Sequence, residues 1–249
     1  DDAHSVSAGD FFDDPLGVGG WQLQNGMSHL ISQMLSDALG RGVDVLVNAP
    51  VVAVNREASG VSVTVTDGTI YKAKQALVTV SVGVLKTKLI NFDEGVRRTL
   101  DGDLAHIYMG NLLKICVPMK EKFFTDRDIP VNFPVAVVDD NPCFIHARTA
   151  GKPAITVFFG GPKSREMELW EMDDLRQHTH DAIDRAGCFE GFRQELAEDI
   201  VPTLWASHML YGGSYALHKP GPRKKMDLID CGSIIFAGEA LLSDPKDSP

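Results

Sequence analysis

Ser233-Ile234-Ile235-Phe236-Ala237-Gly238-Glu239 reads as a short apolar strand that stops on glycine and glutamate. A strand without polar alternation is buried on both faces, and in an α/β sheet such a strand delivers its carboxyl end to a ligand crevice. Glycine there lets a ligand approach the backbone, and glutamate accepts hydrogen bonds from hydroxyl groups.

Working outward, a ladder of short β-branched runs lies well upstream: Val43–Val47, Val51–Asn55, Val61–Thr66, Ile70–Lys74 and Ala76–Val80. Turn signals separate them at Asn48-Ala49-Pro50, Ala58-Ser59-Gly60 and Asp67-Gly68, and the last predicts a hairpin. Before the ladder, Met27, Leu30, Ile31, Met34, Leu35 and Leu39 recur at helical spacing and predict one buried face, ended by Gly40 and Gly42. Residues 1–20 are polar and Gly-rich and read as an arm or linker.

Beyond Ser81 an irregular stretch leads to a strand over about 105–118, then to strands near Val135–Val138, Phe144–Ala147 and Ala154–Phe159. A helix is expected over Met172–Ala186, with Met172, Leu175, Ala182, Ile183 and Ala186 on one face. A shorter helix at Phe189–Glu198 leads into a Val201–Trp205 run. The fold class is mixed α+β or α/β.

Composition narrows the function. The 249 residues hold 24 Lys+Arg against 34 Asp+Glu, a net charge of −10, with 44% apolar residues, which is a globular composition. The densest basic run, Arg223-Lys224-Lys225, is too short for a phosphate-binding surface, so no nucleic-acid partner is expected. No run of about 18 apolar residues predicts a membrane helix, and the Asp-rich start lacks the pattern of a signal peptide. A soluble, cytoplasmic protein is expected. A cationic substrate suits the acidic balance, as does a surface kept acidic for solubility.

Cys116, Cys143, Cys188 and Cys231 are scattered, without metal-ligand spacing, and read as reduced structural thiols. His178-Thr179-His180 places two imidazoles on different sides of a helix, which predicts solvated or capping roles and no metal site. The sequence contains no Gly-x-Ser-x-Gly elbow, no His-Glu-x-x-His, no phosphate loop and no Gly-x-Gly-x-x-Gly fingerprint. Residue patterns alone therefore stop at a mixed α/β protein.

The order of several blocks goes further. Asn25-Gly26-Met27 with its helix, Val45-Leu46-Val47-Asn48-Ala49-Pro50-Val51, Val78-Thr79-Val80-Ser81-Val82-Gly83-Val84-Leu85-Lys86, Met109-Gly110-Asn111-Leu112-Leu113-Lys114-Ile115, Trp205 with Gly213-Ser214-Tyr215, and Phe236-Ala237-Gly238-Glu239 follow one another as in the flavin-containing amine oxidases. From about Gly20 to Glu239 the chain resembles the C-terminal half of that family, which includes monoamine, polyamine and L-amino-acid oxidases and flavin-dependent lysine demethylases.

The resemblance implies an incomplete FAD-binding, Rossmann-like domain at 21–88 and 222–249, lacking its N-terminal βαβ unit, with a mixed-sheet-and-helix substrate domain at 89–221. It implies FAD as cofactor, an amine as substrate, and oxidation with release of hydrogen peroxide. By resemblance Lys114 holds a water against the flavin; the alternative is an edge-strand lysine that snorkels to solvent. Tyr215 forms a wall of an aromatic cage or is a core tyrosine. Phe144 and His146, alternating to one strand face, line the substrate cavity or serve packing. Val51, Gly238 and Glu239 meet the cofactor or are ordinary strand and turn residues. Trp205 is expected to pack.

Three departures stand out: Ser81 where the family carries proline, His208-Met209 where Asp-Pro follows the tryptophan, and Ala240-Leu241-Leu242-Ser243-Asp244-Pro245 where the family has a Gly-containing segment and a helix that seats the flavin. With half of the dinucleotide site unaccounted for, the chain is also readable as a fragment, as a catalytically inactive binding module, or as one subunit of a split oxidase. Its partner would then be a homo-oligomer mate or a chain carrying the missing FAD-binding segment.

Overall fold

The computed structural model describes residues 25–220 and 229–241. The arm at 1–20 and the basic run at 223–225 lie outside them. The chain divides into two compact units, one built on Gly110–His208 and the other on Asn25–Met109 with the segment from Met209 onward.

The first unit is a five-stranded antiparallel sheet covered on one side. Its strands are β7 (Leu112–Pro118), β8 (Phe133–Val137), β9 (Cys143–Ala147), β10 (Ala154–Gly160) and β11 (Val201–Thr203), in the order β11-β7-β10-β9-β8. Alternation decides the faces. Leu113, Ile115, Val117, Ile145, Ala147, Ile155, Val157 and Phe159 are all buried, and they pack with Phe123, Phe124, Phe189 and Phe192. The helix α6 (Met172–Arg185) adds Leu175, Ala182 and Ile183 from one stripe, as its 3.6-residue period predicts. Both edge strands carry a proline, Pro134 in β8 and Pro202 in β11. Two short helices, α4 (Glu121–Thr125) and α5 (Gly161–Met167), complete the unit.

The second unit holds three smaller sheets. One runs β3 (Ile70–Ala73), β2 (Gly60–Val65), β1 (Val51–Glu57), β5 (Asn91–Phe92), with the expected hairpin at Asp67-Gly68. A second pairs β6 (Ile107–Gly110) with β12 (Tyr215–His218). The third sets β14 (Ile234–Phe236) antiparallel to β13 (Ile229–Asp230) and parallel to β4 (Ala76–Val78). Their core includes Val54, Val61, Leu85, Val96, Leu100, Leu104, Ile107, Ile234 and Phe236.

Several expectations are corrected. Residues 82–103, read as irregular, contain α2 (Val82–Thr87) and α3 (Glu94–Asp103), started by Ser81 and Asp93, whose side chains accept the N–H groups of Val84 and Val96. The single strand expected over 105–118 is broken at Asn111 into β6 and β7. The helix expected at Phe189–Glu198 is one 3₁₀ turn, Phe192–Glu195. The helix α1 (Gly26–Gly40) forms as its periodicity predicts, yet buries no residue: Met27, Ile31 and Met34 are 64%, 55% and 60% exposed. Val43–Val47 is exposed and joins no ladder, because no described strand lies beside it to pair with.

His180 is buried rather than solvated, and His178 packs its ring against Phe159 and Trp170. The four cysteines are free thiols, with Cys188 exposed and Cys143 buried. No helix among the described residues is long and apolar enough to cross a membrane.

Candidate functional site

The face of the five-stranded sheet opposite its core carries three of the residues that the sequence singles out. Register sets two adjacent rows across it. In one, Thr203, Lys114, Phe158, Phe144 and Ala136 stand side by side on β11, β7, β10, β9 and β8. In the next, Val201, Cys116, Thr156, His146 and Pro134 do the same. Lys114, Phe144 and His146, singled out by the sequence, thus share one face of one sheet. Phe158, which sequence reasoning missed, lies between Lys114 and Phe144.

The rings are in mutual contact. Phe144 meets Phe158 edge-to-face at 5.8 Å between centroids and lies nearly parallel to the His146 ring at 6.3 Å. Lys114 is exposed, not buried, and its Nζ stands 5.5 Å from the centre of the Phe158 ring, within reach of the ring's negative face. His146 Nδ1 is 2.7 Å from the Thr149 hydroxyl, which fixes the ring's orientation. Phe144 is 43% exposed, so the packed rings still offer a surface to a ligand. Burial pushes the Cys116 thiol above its ordinary range, so it is a poor nucleophile on this face.

The end of the edge strand is tied down by side chains. Thr203 Oγ1 accepts the Lys114 N–H at 3.2 Å and donates to the Lys114 carbonyl at 3.0 Å. Beyond it, the buried Glu168 carboxylate accepts the backbone N–H groups of Ala206 at 3.2 Å and Ser207 at 2.7 Å, and the Asn111 amide at 3.0 Å. Asn111, fully buried, also donates to Ser164 Oγ. One carboxylate therefore joins α5, the start of β7 and the segment after β11. Trp205, expected to pack, is 37% exposed on that segment.

In the second unit, Tyr215, Gly238 and Glu239 are brought together. Both Glu239 carboxylate oxygens accept the Ala216 N–H, at 3.0 and 3.2 Å, so the glutamate after β14 holds the strand that carries Tyr215. Burial, with a smaller contribution from Tyr108, raises the Tyr215 phenol above its ordinary value. Val51 stands apart from these residues at the start of β1, half-buried opposite Val65 in a different sheet. Ser81 Oγ, besides capping α2, donates to the Tyr211 carbonyl at 2.5 Å. Among the described residues no His, Cys, Asp and Glu cluster could hold a metal ion.

The pattern of the family described as flavin containing amine oxidoreductase matches residues 5–243. The chain belongs to that family. It is 26% identical over 224 residues to polyamine oxidase 4 of Oryza sativa subsp. japonica, a match covering 85% of this chain and 43% of the rice protein. It is likewise 26% identical to lysine-specific histone demethylase 1 homolog 3 of Oryza sativa subsp. indica, covering 92% of this chain and 29% of that protein. Among solved structures, cyclohexylamine oxidase from Brevibacterium oxydans superposes with a TM-score of 0.66 at 17% identity, over 87% of this chain and 48% of that one. Wild-type putrescine oxidase bound to putrescine gives 0.64, also at 17%, over 87% and 49%. The chain thus has the mixed α/β fold of about half an amine oxidase and spans less than half the length of these proteins.

Members of this family contain flavin, and the described residues fit that group in part. Among the described residues Gly238, at φ +144, has only the Thr79 carbonyl near the position a Cβ would take, at 3.9 Å, so that side of the turn after β14 is open to close approach. The adjoining Glu239 carboxylate is already engaged by Ala216. A pyrophosphate needs a glycine-rich strand-to-helix turn. Among the described residues α5 follows β10 directly through Gly160-Gly161, but it belongs to the other unit from Gly238 and its second residue is Pro162, which has no N–H to give.

Proposed function

We propose that this chain supplies the substrate-binding half of a flavin-dependent amine oxidase. The observation that carries the reading is the row Lys114-Phe158-Phe144 beside His146, a cation and three rings aligned on one open sheet face in a chain of this family. Bound flavin supplies the electron sink for removal of hydride from the carbon beside the substrate nitrogen, with hydrogen peroxide as the reduced product of oxygen.

The chain's own residues bind and orient. Phe144, Phe158 and His146 hold the apolar part of the amine, and Lys114 Nζ, a donor on a flexible stem, holds a water for hydrolysis of the imine. In the other unit Tyr215, on a strand steadied by Glu239, is the aromatic group offered to an amine. Val51 and Gly238 approach the cofactor through their backbone groups. FAD titration followed by flavin absorbance, then peroxide release with amines, tests the reading. Lys114→Met in flavin-loaded protein is expected to slow turnover or reoxidation sharply, and unchanged kinetics remove Lys114 from the chemistry.

A second reading, one subunit of a split oxidase, is favoured by α1, whose whole apolar stripe is exposed. Buried parallel strands and amphipathic helices require a covering layer. Flavin binding that arises only on co-expression with a chain carrying a Gly-x-Gly-x-x-Gly βαβ unit supports this reading. Colourless protein in both cases, with no peroxide, leaves an amine-oxidase-like binding module.

A further inference from the structure

Resting on the amine-oxidase reading above, we propose that the open face of the five-stranded sheet selects a monoamine with an uncharged aryl or cycloalkyl group, and discriminates against diamines and polyamines. The chain carries a net charge of −10, which by itself suits a polycation. None of that acidity is on the sheet. β7, β8, β9, β10 and β11 contain no Asp or Glu, and Lys114 is the one permanent charge among them. The partner found for its ammonium is the Phe158 ring, and no ion pair among the described residues includes it.

A second ammonium on the substrate would therefore lie on a surface of rings and thiol, near a like charge, with no carboxylate on these five strands to attract it. On an exposed face the repulsion of like charges is modest and screened by salt, and it adds to the missing attraction in setting selectivity. An uncharged ring meets the opposite situation. The edge-to-face contact of Phe144 with Phe158 and the near-parallel Phe144 and His146 rings, 18° apart, present both a ring edge and a ring face. A flat or chair-shaped apolar group gains area and ring-to-ring contacts there. The balance that net charge suggests is reversed by local geometry.

The test is isothermal titration of the full chain with benzylamine, cyclohexylamine, putrescine and phenylalanine, with NMR to locate the bound ligand. Benzylamine or cyclohexylamine is expected to bind about tenfold more tightly than putrescine, with shifts at Phe144 and Lys114. Phe144→Ala, and the milder Phe144→Leu should the first lose its fold, are expected to weaken the ring-bearing amines about threefold to tenfold. Lys114→Met is expected to narrow the gap by improving putrescine. Putrescine binding as tightly as benzylamine overturns the selectivity and leaves the amine site standing. Phenylalanine binding more tightly than either overturns it by making Lys114 a carboxylate-binding group. Failure of every amine to bind or to shift these residues overturns the parent reading as well.

Discussion

Thr203 closes both backbone groups of Lys114 with a single hydroxyl, accepting from its N–H and donating to its carbonyl. Thr203 is the last residue of a three-residue edge strand and follows Pro202, which has no N–H to give. The side chain does there what the ladder no longer does. Thr203→Val keeps the shape and removes both bonds, at an expected cost of about 1–2 kcal/mol. The amide of Lys114 should exchange with solvent faster, and Thr203→Ser should restore protection. Hydrogen exchange followed by NMR decides this, and equal protection in the Val variant rules out the clamp.

Gly83 meets Tyr211 and Gly212 backbone to backbone. A Cβ on Gly83 would lie 2.5 Å from the Tyr211 carbonyl oxygen and 2.9 Å from the Gly212 Cα, and neither neighbour can swing away as a side chain could. Gly83→Ala is expected to cost about 1–3 kcal/mol. Ser81→Ala loses the cap of α2 and the bond to Tyr211, about 1 kcal/mol. Ser81→Pro should cost less than Ser81→Ala, because φ of −60 is one proline adopts unaided. Urea midpoints measured on all three check the order, and a harmless Gly83→Ala contradicts the close approach.

One buried and one half-buried imidazole, His180 and His178, set the response to mild acid. Burial, aided by Arg193 and Arg176, holds His180 below its ordinary value, and burial does the same for His178. Arg193 Nη1 lies 3.1 Å from His180 Nδ1; arginine only donates, so Nδ1 accepts and the proton sits on Nε2, which is buried without a partner among the described residues. The unfolded chain takes up protons first, near pH 6.5. Stability is therefore whole above that value and falls as pH drops through the lower folded pKa. Asp93 and Asp199, each held at about 2 mainly by hydrogen bonds from Arg56 and Arg176, give a further loss below about pH 4. Melting curves between pH 7 and 3 should show both limbs, and His180→Leu should flatten the upper one.

Glu168 is surrounded by donors, so its amide analogue is expected to fail. Glu168→Gln turns an NH₂ group toward either Ser207 N–H or the Asn111 amide and leaves a buried donor facing a donor, at an expected cost of about 1–3 kcal/mol. Chemical denaturation measures this directly. A neutral substitution argues against the three-way tie.

How much of this was readable from sequence depends on whether the signal was local. The hairpin at Asp67-Gly68, the strands β1, β2, β9 and β10, and the stripe on α6 follow from alternation, period and turn residues within a few positions. The helices α2 and α3 were missed although Ser81 and Asp93 are ordinary N-caps, because six- and ten-residue helices offer little periodicity. Phe158 could not be found, since its place between Lys114 and Phe144 is a matter of cross-strand register. Glu168 and Asn111 are 57 residues apart, and no local pattern announces their bond. For α1 and Val43–Val47, the pattern told what each segment is able to bury, and it carried no information on what would cover it.

Pro134 and Pro202 stand on the two outermost strands of the five-stranded sheet. Each removes a backbone donor where an added strand would have to pair, which is a known guard against open-ended growth of a sheet. The sheet is thereby finished sideways at five strands, and it is not available for edge-to-edge association with other copies. No such guard stands on β3, an edge strand of the other unit, where Ile70 and Tyr71 are exposed. If this protein aggregates when concentrated, the first contacts should form there and along α1, while the face bearing Lys114 stays free for a small molecule.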